Sequence, residues 1–170
     1  GLPAVVALNR FANDTDAEIE LVTKKCAELG VNVKMSEVWG KGGDGGIELA
    51  EEVVRLCEQP NEFKFSYDEN LSIREKIEAI ATKVYGADGV DFAPKAAKEI
   101  DELEKFGYGN MPVCMAKTQY SLTDDQTKLG RPTGFRITIR QVTVSAGAGF
   151  VVALTGEIMK MPGLPKVPAA

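Results

Sequence analysis

The opening sixty residues constrain the fold most, because they pair a buried-type strand with a well-marked helix start and then repeat the pattern. Ala4 to Leu8 (AVVAL) is a short continuous apolar run, the signature of a strand buried on both faces. Thr15-Asp16-Ala17-Glu18 follows as a capping box, in which hydroxyl and carboxylate satisfy each other's orphan amides. The helix it opens places Ile19, Val22, Cys26 and Leu29 on one face and stops at Gly30. Val31, Val33 and Met35 then alternate with polar residues as a second strand, and a helix from about 46 to 59 aligns Ile47, Ala50, Val54 and Cys57. Strand, helix, strand, helix is the grammar of a parallel α/β unit, closed here by Pro60.

The remainder divides into two stretches of different character. Over 61–112, Ser72-Ile73-Arg74-Glu75 is a second capping box, leading a helix with Ile73, Ile77, Ile80 and Val84 inward. Pro94 suits the first turn of another helix carrying Ala97, Ile100 and Leu103. This section reads as a helical pair without a large core of its own. Residues 113–170 are β-rich: Val113–Ala116 is strand-like, and Phe135, Ile137 and Ile139 keep a period of two. The apolar phase shifts to Val142 and Val144, as at a β-bulge, and Phe150–Leu154 is another buried-type strand. The prolines between Met161 and Pro168 exclude helix and central strand there. The expected fold class is α/β: a βαβα unit over 1–60, a helical section over 61–112 and a β-rich α+β part over 113–170.

Composition narrows the chemistry. There is no histidine, which removes Ser-His-Asp and Cys-His catalysis and every His-containing zinc site. A net charge of −5 with dispersed basic residues argues against nucleic-acid binding. No stretch of about 18 apolar residues offers a membrane span, and no basic, apolar leader opens the chain. Cys26, Cys57 and Cys114, an odd number at unrelated spacings, suit reduced thiols in a cytosolic protein, with Cys26 and Cys57 as small core residues. The start at Gly1-Leu2-Pro3, running straight into an apolar stretch, is expected to be an internal cut.

Two strand ends carry the best candidates for binding. Val38-Trp39-Gly40-Lys41-Gly42-Gly43-Asp44-Gly45-Gly46 holds the only tryptophan and five glycines, at the carboxyl end of the second strand where open α/β sheets bind ligands. Glycines let backbone amides approach a ligand, so ligand binding is favoured over a loop whose Trp merely caps the core. Asn9-Arg10-Phe11 sits at the equivalent end of the first strand. Phe11 and Trp39 would then face one another and could sandwich a flat heterocycle; equally, Phe11 could staple the helix entry. Gly147-Ala148-Gly149 lacks the third glycine and the helix of a dinucleotide loop, and reads as a turn. Lys117-Thr118-Gln119-Tyr120-Ser121 also favours a turn, as does Asp124-Asp125 over a metal site, and no metal site is expected. Gly-x-x-x-x-Gly-Lys-[Ser/Thr] does not occur.

In combination, VVALNRFANDT, VWGKGGDGG, PVCMAKTQYSL and SAGAGFVVALTGEIMKMPGLPK resemble the formate–tetrahydrofolate ligase family over essentially the whole chain. The resemblance implies a P-loop-type fold and an ATP-dependent ligase of one-carbon metabolism. Formate is activated as formyl phosphate, and N10 of tetrahydrofolate attacks it to give 10-formyltetrahydrofolate. It implies that the folate ring system stacks between Phe11 and Trp39, with Met35 lining the slot, Gly42 and Gly43 bordering it, and Lys41 facing an anionic part of a substrate. Asn9 and the Pro162-Gly163-Leu164-Pro165 turn are implied as nucleotide-side contacts. It further implies ATP with Mg bound mainly by residues upstream of Gly1, room for a monovalent cation, a homotetramer, a cytoplasmic location, and the rest of the same polypeptide as partner. The family's lysine loop and formate-activating basic residues are missing from these 170 residues, as is the family's extension past Ala170, so the piece alone is expected to be inactive. The competing readings are a non-catalytic α/β binding or oligomerisation module and, less well supported, a nucleotide-binding oxidoreductase.

Overall fold

The computed structural model describes residues 1–156 and 158; Pro162, Leu164 and Pro165 lie outside the described residues. The protein is mixed α/β and divides into two units, Gly1–Lys64 and Phe65–Ala170.

In the first unit β1 (Val5–Asn9) and β2 (Asn32–Ser36) pair in parallel, with Val5 opposite Asn32 and Asn9 opposite Ser36. Helix α1 (Asp16–Glu28) connects them, and both halves of the expected capping box form: the Thr15 hydroxyl accepts the Glu18 amide while Glu18 accepts the Thr15 amide. Helix α2 (Val38–Lys41), a 3-10 stretch (Gly42–Gly46) and α3 (Ile47–Cys57) complete the unit.

Three expectations fail here for one physical reason. β1 is not buried on both faces; none of its residues is buried, because among the described residues only β2 pairs with it. The α3 face of Ile47, Ala50, Val54 and Cys57 is exposed, while Leu49, Glu52 and Leu56 turn inward. Cys57 is therefore not a core thiol, and Cys26 is only half-buried. A two-stranded sheet cannot cover two faces of a strand or the full apolar stripe of a helix.

Polar contacts orient α3 instead. Glu52 is buried and accepts from Asn32 Nδ2 at 2.9 Å and from Arg55 Nε and Nη2 at 2.8 and 2.7 Å, which ties α3 to the start of β2. The Arg55 fork, seconded by Asn32, holds the Glu52 carboxyl down to about 2. Because the folded value lies below the unfolded 4.5, this contribution is full above pH 4.5 and is lost as pH falls toward 2. Wild type should lose urea resistance across that window by tryptophan fluorescence, and Glu52→Gln should show a flatter profile; parallel profiles would remove Glu52 as the cause.

The second unit is built on a four-stranded sheet in the order β3-β5-β6-β4, from β3 (Gly89–Phe92), β4 (Val113–Ala116), β5 (Arg136–Ser145) and β6 (Phe150–Thr155). β3 runs parallel to β5 and β4 parallel to β6, while β5 and β6 form an antiparallel hairpin closed by the Gly147-Ala148-Gly149 turn. Gly149 takes a φ of +75°, a conformation that glycine adopts without strain.

Helices α4 (Ile73–Lys83) and α5 (Pro94–Lys105) pack on this sheet. Ile73, Ile77 and Ala81 of α4 and Ala96 and Ile100 of α5 join Ile137, Ile139, Val151 and Ala153 in one core. The helical section has no separate core; it supplies half of the only large core among the described residues, which it shares with the sheet. Strand β3, between the two helices, was not expected, since GVDF is too short to show alternation. Val84 lies past the end of α4 and is exposed, not inward. The phase shift in β5 is a register shift between Ile139 and Gln141. It keeps Ile137, Ile139 and then Val142 facing the helices, and Glu99 of α5 accepts the Val142 amide at 2.8 Å.

Lys117 orders the loop after β4. Its ammonium donates to the carbonyls of Thr118, Ser121 and Thr123 and lies 5.1 Å from the centre of the Tyr85 ring. The buried hydroxyls of Ser121 and Thr123 bond each other at 3.0 Å. The expected turn is therefore a braced loop with its polar groups satisfied internally.

Candidate functional site

Register alone brings the two candidate segments together. Asn9 lies opposite Ser36 at the carboxyl ends of two parallel strands, so Arg10-Phe11 and Glu37-Val38-Trp39 leave the sheet side by side. The Arg10 amide donates to Ser36 O at 3.0 Å, extending the ladder by one bond. Phe11 is pinned next: its amide donates to Asp14 Oδ2 at 2.8 Å, and its carbonyl accepts the Asp14 amide at 3.1 Å. This four-residue turn, closed at both ends by Asp14, leads into the cap of α1.

The ring centres of Phe11 and Trp39 are 6.3 Å apart with 57° between their planes. Both rings face solvent, Phe11 at 52% and Trp39 at 76% exposure, so Phe11 does not serve mainly as a staple. A cavity of 270 Å³ is lined by Asn9, Arg10, Phe11, Ser36, Val38 and Trp39. A second cavity of 350 Å³, which also touches Phe11, is lined by Leu8, Asn9, Phe11, Asp14, Glu18, Ile19 and Val22.

The glycine segment is more structured than an open loop. Val38–Lys41 is a helical turn and Gly42–Gly46 a 3-10 stretch running into α3. Glu37 N donates to Gly45 O at 2.9 Å, which folds the segment back on itself. A Cβ at Gly45 would lie 2.5 Å from the Glu37 carbonyl and 2.9 Å from Val38 N, so only glycine fits there. Gly45→Ala should cost about 1–3 kcal/mol through forced backbone movement. It should also shift Trp39 emission, because the displaced turn carries that ring; an unchanged spectrum and urea midpoint would show that the turn tolerates the methyl.

Other expected site residues are placed differently. Met35 is half-buried on β2 opposite Leu8 and does not line the cavity beside the rings. Gly42 and Gly43 are exposed, and neither lines that cavity. Lys41 donates to Glu37 Oε2 at 2.6 Å, one helical turn away, and this bond holds the Glu37 carboxyl below its ordinary range. Asn9 lines both cavities. Arg10, which sequence reasoning passed over, lines the cavity with the two rings. Its adjacency to Phe11 was visible, but its orientation was not.

The whole-chain comparison decides the family. The model of the formate–tetrahydrofolate ligase family matches residues 1–170. This chain belongs to the formate–tetrahydrofolate ligase family. A formate–tetrahydrofolate ligase from Symbiobacterium thermophilum is 61% identical over 170 residues, all of this chain and 31% of that protein. The chain thus spans about a third of the length of the ligase it matches. No helix among the described residues is long and apolar enough to cross a membrane. The segments that carried the resemblance include both strand ends around Phe11 and Trp39.

Proposed function

We propose that this chain is the carboxy-terminal, folate-binding part of an ATP-dependent ligase that joins formate to tetrahydrofolate through formyl phosphate, giving 10-formyltetrahydrofolate. The observation that carries the assignment to this region is the pair of exposed rings at adjacent ends of parallel strands, beside a cavity of 270 Å³. Paired rings on an apolar, concave surface favour a flat heterocycle. In this reading Phe11, held by Asp14, is the fixed wall and Trp39, on a short turn rich in glycine, is the wall that moves. A guest stacked between parallel rings needs about 7 Å, twice the ordinary carbon contact distance. Binding therefore turns Trp39 out of its 57° tilt and opens the pair slightly.

The sequence has no Gly-Lys-[Ser/Thr] loop, and no group of three or more carboxylates or thiols is placed to hold a metal among the described residues. ATP and Mg are assigned mainly to the remainder of the polypeptide, with Asn9 as a nucleotide-side contact from this chain and β1-α1-β2 as part of a larger P-loop-type sheet. The same reading takes the enzyme to be a cytoplasmic homotetramer.

Trp39 is the only tryptophan, so its emission reports the slot directly. Titrating tetrahydrofolate into the 170-residue chain should quench that emission saturably, whereas ATP over the same range should not. An emission spectrum indifferent to tetrahydrofolate would sink the assignment.

A further inference from the structure

We propose that Arg10 is the anion-recognising residue of the slot, its guanidinium gripping a pair of oxygens on a carboxylate or phosphate once it lets go of Asp16. The inference rests on the folate reading of the Phe11–Trp39 pair and adds to it a determinant of specificity.

Arg10 is fixed at its backbone and loose at its tip. Its amide is bonded to Ser36 O, so the Cα is set at the rim where the two strands end. Arg10 lines the 270 Å³ cavity together with Phe11 and Trp39, and its side chain is 40% exposed. One side-chain hydrogen bond holds it, from Nη2 to Asp16 Oδ1 at 2.8 Å. A guanidinium carries five N–H donors in a planar fork suited to two oxygens at once, so most of its donor capacity is unused.

The surrounding acids divide cleanly by what they hold. Asp14 accepts the Phe11 amide, Glu18 closes the capping box with Thr15, and Glu37 accepts from Lys41 while also lying within electrostatic reach of Arg10. Among the described residues Asp16 bonds Arg10 alone, and its side chain is 91% exposed. An exposed ion pair is weak, so an incoming oxyanion in the cavity can replace Asp16 at small cost. Lys41, the other nearby cation, does not line the cavity and is already engaged one turn away. Arg10 is therefore the cation positioned to meet a ligand lodged beside the rings.

Two sources of oxyanion fit this reaction. On tetrahydrofolate the groups ionised at neutral pH are the carboxylates of its glutamate tail; the other source is the phosphoryl group of the activated formate. The two are separated by measuring Trp39 quenching in the 170-residue chain and its Arg10→Gln, Arg10→Lys and Asp16→Asn variants. The ligands are tetrahydrofolate, a tetrahydropterin without the tail, and inorganic phosphate.

If the carboxylate is read, Arg10→Gln weakens tetrahydrofolate by about tenfold or more and leaves the tail-less pterin unchanged, as expected for loss of a charge-assisted bidentate contact. Arg10→Lys then falls between, since it keeps the charge and loses the fork. Asp16→Asn tightens tetrahydrofolate, because a competing carboxylate is gone. If phosphate is read, the two pterins bind alike, and inorganic phosphate perturbs Trp39 in wild type but not in Arg10→Gln. Wild-type affinities for all three ligands in Arg10→Gln, or equal losses for tetrahydrofolate and the tail-less pterin, would overturn the proposal. Failure of both pterins to bind the wild-type chain would instead overturn the folate reading beneath it.

Discussion

Replacing Trp39 by alanine in the full-length enzyme should weaken tetrahydrofolate binding by about tenfold or more, the scale set by losing one stacked ring and its buried area. The apparent affinity for ATP should stay within about twofold, because the ATP phosphates are assigned mainly to the remainder of the polypeptide. The substitution is informative because the ring is 76% exposed and contributes little to the core of the unliganded protein. Folding should therefore survive, and a lost affinity can be read as a lost contact. Trp39→Phe, which keeps a stacking face, should recover much of the binding. Equilibrium titration with tetrahydrofolate, followed by absorbance or calorimetry since the fluorophore is gone, is the measurement. A dissociation constant equal to wild type in Trp39→Ala would remove the ring from the site.

Lys76→Ala should produce the largest loss of stability in the second unit from a single polar residue, about 2–5 kcal/mol. Lys76 is 0% exposed, and its ammonium donates to Gly109 O at 2.9 Å and Met111 O at 3.1 Å. Those carbonyls belong to the segment that leads from α5 into β4, so the side chain pins a core helix to the start of an edge strand. Burial pushes the ammonium below its ordinary range, with Glu69, Glu104 and Asp68 opposing that shift. Alanine removes the aliphatic stem and leaves both carbonyls without their donor. Methionine keeps most of the stem volume, so Lys76→Met isolates the hydrogen bonds and should cost about 1–3 kcal/mol. Urea unfolding followed by circular dichroism separates the two. A Lys76→Met protein as stable as wild type would show that the ammonium contributes no net stabilisation.

Several local features were legible because neighbouring residues cause them. Both capping boxes form with the expected partners, since Thr15–Glu18 and Ser72–Glu75 need only a three-residue separation to meet. Pro94 sits in the first turn of α5 and Gly149 in the β5–β6 turn, each where its backbone restriction or freedom is useful. The register shift in β5 was visible as a break in alternation, because an extra residue moves every later side chain to the other face.

Misreadings arose where burial depends on distant parts of the chain. Apolar Val5, Val6 and Leu8 mark β1 as a strand, but whether its faces are covered depends on what packs against them. The stripe of Ile47, Ala50, Val54 and Cys57 marked α3 as a helix and pointed to the wrong inward face. Glu52, held by Asn32 and Arg55, turns inward in its place. What covers the helices over 73–105 lies up to 80 residues further along; Val151 and Ala153 complete a core that begins with Ile73 and Ile77.

For the site, the sequence by itself determined which residue types stand at two strand ends: an aromatic after Asn9-Arg10, and a tryptophan ahead of a glycine run. It also determined the family, because those segments are specific in combination. Only the tertiary structure decided how they meet. The parallel register of β1 and β2 sets Phe11 beside Trp39, the fold-back from Glu37 to Gly45 gives the glycine segment its shape, and Arg10 lines the cavity while Lys41 is engaged elsewhere. Spacing along the chain specifies hydrogen bonds within a turn. Which side chain faces a cavity is set by the pairing of segments more than twenty residues apart, and that pairing exists only once the chain has folded.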